Sequence, residues 1–243
     1  MKITNQFPNN WKELQDKVCK FLNEAGYPSE SPKTIDTVRG KVEVDVFSTS
    51  ETELIKQFIC ECKFWNTPIP KEKIHAFRTI VHDSGSMVGI FISKEGYQSG
   101  AYEAAYCSNV LLKDWNGFIE LIEKQWITLQ LYRIKKLAHP LSVYTDPLDV
   151  PTHKFSCDEL KEYNEITSGS IKAYLICRTF DEEDLNTQDK IEINGQIFTA
   201  CDELFDYLQI YLSDVIKKYE RLFEHNPVES WKLECPVYTI AKL

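Results

Sequence analysis

Asp45, Glu61 and Lys63 are the ionisable residues whose types and spacing best support chemistry. Lys41 to Phe47 alternates cleanly, with Val42, Val44 and Val46 on one face and Glu43 and Asp45 on the other. Leu54 to Trp65 reads as a second strand, in which Ile59, Glu61 and Lys63 share one face and Cys60 and Cys62 the opposite one. Paired as a hairpin, the two strands bring two carboxylates and an ammonium together. Neighbouring carboxylates repel unless a cation lies between them, and hard oxygen donors with room for water suit Mg²⁺. Such an ion lowers the pKa of a bound water and neutralises charge developing on a phosphate. A lysine beside it positions the water and stabilises that charge. The plainer reading of the same residues is a wet strand face on which Glu61 and Lys63 form a surface pair, and the triad alone does not separate the two.

The elements around these strands decide whether the three side chains have a frame. Trp11, Leu14, Val18, Phe21, Leu22 and Ala25 recur at helical spacing from Asn10 until Gly26. A Ser/Pro-rich turn at 28–32 leads to a short strand over Lys33 to Thr37, and Arg39-Gly40 turns into the Lys41 strand. Pro68 and Pro70 end the second strand, and the spacing predicts a helix from Lys71 to Ser84 with Ile74, Phe77 and Val81 inward. Met87 to Ser93 is a short apolar run, as in a strand covered on both faces. A helix over Tyr97 to Ser108, a strand over Val110 to Lys113 and a long helix from Trp115 to about Leu137 follow. This order signals an α/β fold with a mixed central sheet flanked by helices.

His139 to Pro151 carries three prolines and reads as a linker, giving domains at 1–138 and 139–243. The second is expected to be a smaller α+β domain. It would hold a strand at 171–179, a hairpin at Asn194-Gly195, a helix from Asp202 to Glu224 and a last strand near 236–241. The stripe Leu204, Leu208, Leu212, Val215, Tyr219 and Leu222 reads as core or dimer interface.

The net charge of −9 argues against a protein that coats nucleic acid by bulk electrostatics. It is unevenly spread: residues 1–126 hold 15 Lys+Arg against 17 Asp+Glu, and residues 127–243 hold 13 against 20. The first half is thus nearly neutral and the second acidic, which suggests different partners for the two. The eight cysteines lie mostly in apolar segments, as reduced thiols do, and no run is apolar enough to span a membrane. A cytoplasmic location is expected. The pair Cys60 and Cys62 lacks the companions that a zinc site needs.

Three ordered motifs carry a resemblance. They are Gly40-Lys-Val-Glu-Val-Asp45-Val-Phe, then Ile59-Cys-Glu61-Cys-Lys63-Phe-Trp-Asn-Thr-Pro-Ile, then Val88-Gly-Ile-Phe-Ile-Ser-Lys-Glu-Gly-Tyr97-Gln-Ser-Gly-Ala101. Over about residues 8–125 the chain resembles the catalytic domain of Mrr-like restriction endonucleases, of the PD-(D/E)xK nuclease superfamily. The resemblance implies a restriction-endonuclease-like fold and a Mg²⁺-dependent endonuclease acting on duplex DNA, with Mn²⁺ as a substitute. A role in restriction or antiviral defence goes with it. It makes Asp45 and Glu61 metal-binding carboxylates and Lys63 the catalytic lysine, with the Cys62 main-chain carbonyl as a further ligand.

Glu13 stands about where relatives place a glutamate near the metal, yet Asn10-x-x-Glu13 equally fits a capping box. Lys71, Lys73 and Arg78 lie on the outward side of the helix after Pro70, either as phosphate contacts or as a solvated face. Trp65 and Asn66 either border the cleft or, for Trp65, join the core; Ser93, Tyr97 and Gln98 either hold a phosphate or cap a helix. Mrr itself is understood to carry a separate DNA-recognition domain ahead of the catalytic one, whereas the first helix expected here begins at Asn10. Its acidic second half is read as a surface for regulation, self-association or a protein partner. The alternatives are a non-catalytic nucleic-acid-binding or complex-forming subunit with a nuclease-like fold, and a Holliday-junction-type resolvase.

Overall fold

The computed structural model describes residues 1–51 and 55–234. Its contacts group into two compact units, Gln6–Leu129 on the one hand and Met1–Asn5 with Gln130–Leu243 on the other.

The first unit opens on α1 (Trp11–Glu24), where the Asn10 side chain accepts a hydrogen bond from the Glu13 N–H at 2.9 Å. This satisfies one of the free donors of the first turn. The face with Leu14, Val18, Phe21 and Leu22 is buried, and the helix gives way at Gly26, whose φ is 87°. Five strands form the main sheet: β1 (Ser29–Glu30), β4 (Val46–Thr49), β5 (Gln57–Lys63), β6 (Val88–Ser93) and β7 (Val110–Lys113), in the order β1-β4-β5-β6-β7. β1, β4 and β5 pair antiparallel, whereas β5, β6 and β7 run parallel. Separately, β2 (Lys33–Thr37) and β3 (Gly40–Val44) make a two-stranded hairpin.

The continuous strand expected over 41–47 is therefore divided. Val44 pairs with Lys33 in the hairpin, whereas Val46 pairs with Cys60 in the main sheet. Asp45 sits at the change of partner. The reason is local: its side-chain Oδ2 accepts the Cys62 N–H at 2.7 Å, filling a place that a backbone carbonyl holds in a continuous ladder.

The parallel strands are joined by α2 (Lys71–Asp83) and α3 (Ser99–Ala105), as parallel pairing requires. Ile74, Phe77 and Val81 of α2 are buried against Ile59, Phe91 and Val110 in one apolar cluster. α2 comes close because β6 has a glycine beneath it. A Cβ on Gly89 would lie 2.5 Å from Val81 Cγ2 and 2.7 Å from Phe77 Cε1. Gly89→Ala is expected to destabilise the protein by about 1–3 kcal/mol through overpacking; the urea midpoint measures this, and an unchanged midpoint would contradict the tight seat. On the sheet's other side, Trp126 of α4 (Trp115–Ala138) is buried and its indole N–H donates to Glu24 at 2.9 Å.

The second unit holds α5 (Leu141–Tyr144), α6 (Cys157–Thr179), α7 (Glu182–Thr187), the hairpin β8 (Ile191–Ile193) and β9 (Gln196–Phe198), and α8 (Cys201–Leu222). The hairpin turns at Asn194 (φ 51°) and Gly195 (φ 79°), the left-handed pair that the sequence demanded. Residues 171–179 are helical rather than the expected strand. Ser156 and Glu159 form a complete capping box that starts α6, and Tyr163, Ser170, Ala173, Tyr174 and Cys177 bury one helical face. A nucleated helix with a buried stripe thus overrides the local strand preference of Ile, Tyr and Cys. The stripe Leu204, Leu208, Leu212, Val215, Tyr219 and Leu222 of α8 is buried within the unit. The strand expected near 236–241 lies outside the described residues. No helix among them is long and apolar enough to cross a membrane.

Candidate active site

Three elements deliver the ionisable residues to one place. Asp45 stands at the β3–β4 change of partner, while Glu61 and Lys63 occupy the last turn of alternation on β5. Lys63 Nζ forms an ion pair with Glu61 and lies 3.6 Å from Asp45 Oδ2. The convergence expected from a hairpin is thus present, with the ammonium between the two carboxylates.

Asp45 is held from two further sides. Its Oδ1 accepts the Gln15 side-chain amide and its Oδ2 the Cys62 N–H. Gln15 is 7% exposed and lies in the buried stripe of α1, a position that sequence reading passed over. The available signal was a polar residue falling between Leu14 and Val18, at the spacing of the apolar face. Because the N–H and C=O of one strand residue point to the same side, the Cys62 carbonyl faces Asp45's side of β5 rather than β6.

Burial pushes the Glu61 carboxyl above the usual range and nearby Asp45 adds to this, against the opposing pull of Lys63. Burial works against the Lys63 ammonium, but Glu61 and Asp45 outweigh it and raise Lys63 above its usual value. Since Glu61 is harder to ionise folded than unfolded, its contribution to stability is full below the unfolded value of about 4.3. It is lost as pH rises through that value toward the raised one. Glu61→Gln, fixed neutral, is therefore expected to gain on the wild type in melting temperature across this window in EDTA. Parallel curves for the two proteins would contradict the shift.

This donor set fits a hard divalent cation. Two carboxylates that meet at one ammonium and a carbonyl on the same side are oxygen donors of the kind Mg²⁺ takes. Among the described residues no group of three or more His, Cys, Asp or Glu side chains stands at metal-binding distance. A site of one or two carboxylates completed by water and substrate phosphate is ordinary for Mg²⁺. Cys60 and Cys62 are buried, and burial raises both thiols above their usual value.

Glu13 is engaged elsewhere. Its Oε2 accepts from the Asn9 backbone N–H at 2.8 Å and the Asn9 side chain at 3.1 Å, and Lys17 pairs with it at 3.0 Å. The first of these contacts, with Lys17 second, lowers its pKa. This resembles the capping box, moved one residue outward from Asn10.

Beyond the carboxyl ends of the parallel strands lies a basic and aromatic rim. The Lys94 N–H donates to the Lys63 carbonyl at 3.1 Å, joining the ends of β5 and β6. Lys94 Nζ donates to Asn66 Oδ1 at 2.7 Å and sits 4.9 Å above the Phe64 ring. Lys73 of α2 lies 5.6 Å above the half-exposed Trp65 ring and contributes to the field at Glu61. Lys71 is exposed, whereas Arg78 is half-buried and donates to the Ala104 carbonyl at 2.8 Å, tying α2 to α3. Ser93 donates to the Gly96 carbonyl, and the Tyr97 hydroxyl lies between the carbonyls of Phe91 and Lys113. Both are committed to backbone. The sequence alone gives Lys94 no role, since nothing in its neighbourhood marks it apart from a surface lysine.

Asp45, just ahead of the antiparallel β4, thus lies beside Glu61, Lys63 and the basic rim at the carboxyl ends of the parallel β5 and β6. Residues 8–122 match the family described as restriction endonuclease, Mrr catalytic domain, and this stretch of the chain belongs to that Mrr-like family. It is a nuclease domain of the restriction-endonuclease-like superfamily. A solved structure described as protein of unknown function AF1548 is similar at a TM-score of 0.41 and 15% identity, covering 89% of this chain and 100% of that one. No curated protein matches.

Proposed function

We propose that the chain is a divalent-metal-dependent endonuclease that hydrolyses phosphodiester bonds of duplex DNA, with Asp45 and Glu61 holding the metal and Lys63 as the catalytic lysine. The observation that carries this is the meeting of Asp45 and Glu61 at the Lys63 ammonium, inside the stretch that matches a restriction endonuclease family. When bound, Mg²⁺ or Mn²⁺ supplies a Lewis acid that activates water and offsets charge on the phosphate. Gln15 and the Cys62 N–H fix Asp45, so its remaining lone pairs stay aimed in one direction. Lys63, displaced from between the carboxylates, donates to the attacking water or to a phosphate oxygen as negative charge grows there. Lys71 and Lys73 extend along the same helix and are assigned to DNA phosphates, with Trp65 beside them. Arg78 is assigned the weaker share of this contact, because one of its N–H groups already serves Ala104.

Domain 139–243 is assigned to regulation, self-association or docking of a protein partner, and the protein to restriction or antiviral defence in the cytoplasm. Its acidic character supports this division of labour, since an acidic surface repels DNA. Titration calorimetry with Mn²⁺ on the wild type and on Asp45→Asn tests the metal assignment. Binding by the wild type that falls at least roughly tenfold in the variant is expected. Equal binding by both would sink the ligand assignment, and a domain that binds metal but never cuts would favour a non-catalytic subunit.

A further inference from the structure

The second unit contains a basic cavity for which the nuclease reading has no use. It has a volume of about 390 Å³ and is lined by Lys135, Ala138 and His139 at the end of α4, Ser142 of α5, and Tyr174 and Arg178 of α6. Residues 127–243 carry 13 Lys+Arg against 20 Asp+Glu, yet no carboxylate among the described residues lines this cavity. Two fixed positive charges therefore face one space in an acidic half of the chain.

Among the described residues neither Lys135 nor Arg178 takes part in a salt bridge. Asp181 feels Lys135 only as the weakest influence on its carboxyl, and Asp181 is occupied as the cap of α7, accepting the Asp184 N–H at 3.0 Å. Arg178 Nη1 donates to the Tyr174 hydroxyl at 3.2 Å, and Tyr174 is buried. That bond orients the guanidinium while leaving most of its five N–H donors for a ligand. His139 Nε2 is 3.2 Å from the Glu234 carbonyl, which only accepts, so Nε2 carries the hydrogen and Nδ1 remains for another partner. The Ser142 hydroxyl donates to the His139 carbonyl at 2.8 Å and keeps its lone pairs.

We propose that this cavity binds a small molecule bearing a phosphate monoester. A dianion matches two cations that share one space, and the planar fork of Arg178 fits two phosphate oxygens at once. The volume lies in the range of about 300–1,000 Å³ typical of small-ligand sites, which leaves room for the organic body that carries the phosphate.

A competing role for the same charges is to offset the negative ends of α4 and α6, since Lys135 and Arg178 lie in their last turns. Lys136 separates the two, because it shares the last turn of α4 but does not line the cavity. The test is titration calorimetry of the full chain in EDTA, with a nucleoside 5′-monophosphate and with inorganic phosphate at matched ionic strength. Stoichiometric binding of the monophosphate is expected, weakened roughly tenfold or more by Arg178→Gln and by Lys135→Gln. Lys136→Gln and Asp45→Asn should leave it unchanged, and circular dichroism should find all four variants folded.

Absence of binding by the wild type, or an equal loss in Lys136→Gln, would overturn the site. Equal affinity for inorganic phosphate would overturn the claim that the cavity holds more than the phosphate group. A short DNA duplex whose binding falls in the same two cavity variants would overturn it in favour of a phosphodiester surface.

Discussion

Asp45→Asn is expected to lower DNA cutting by on the order of 10³-fold or more, because under the proposed function it removes a carboxylate that holds the metal, worth several kcal/mol at the transition state. The fold should survive with a modest loss. The wild-type carboxylate accepts from Gln15 on one oxygen and from the Cys62 N–H on the other. An asparagine must turn its amide nitrogen toward one of these donors, leaving a donor facing a donor at a cost of about 1–3 kcal/mol. Single-turnover cleavage and a melting curve measure the two effects. A variant that keeps more than a small fraction of the activity would remove Asp45 from the site.

Phe77→Ala is expected to destabilise the protein by about 3–5 kcal/mol, the loss typical of a buried phenyl ring that leaves a cavity. Phe77 is 2% exposed and meets Phe91 edge to face, with ring centroids 5.4 Å apart and planes at 87°. Gly89, on which the ring packs, has no side chain that could move into the gap. The helix loosened by this change is the one that presents Lys71 and Lys73. Urea unfolding checks the loss through the midpoint and slope. A loss below about 1 kcal/mol would mean that α2 is not seated on the sheet through this ring.

The fold of the first unit was legible because its periodicities are unmixed. Helical spacing over Trp11 to Ala25 and the apolar run of Met87 to Ser93 each admit one element, alternation over Lys41 to Phe47 marks extended chain, and the turns between them fall at Gly and Pro. The hairpin at Asn194-Gly195 was legible for a sharper reason, since its two residues adopt the left-handed conformation that others resist. The division at Asp45 was not, because alternation continues through it unchanged; only the side-chain bond to the Cys62 N–H reveals the switch.

The meeting of Asp45, Glu61 and Lys63 was legible from strand alternation. Its support was not, since Gln15 acts through a contact thirty residues away along the chain. Glu13 shows the opposite difficulty. One residue type suited both capping and metal binding, and the geometry of Asn9 and Lys17 engages it at the start of α1. In the second half, β-prone residues at 171–179 concealed a helix whose start lies fifteen residues upstream at Ser156.

The central claim is tested most directly by incubating supercoiled plasmid with the purified full chain in Mg²⁺, Mn²⁺ or EDTA, with Glu61→Ala and Lys63→Ala alongside. Nicking and linearisation that need the metal and vanish in both variants are the predicted result. Cutting that persists in EDTA or in either variant would contradict the assignment of Asp45, Glu61 and Lys63 as the catalytic group.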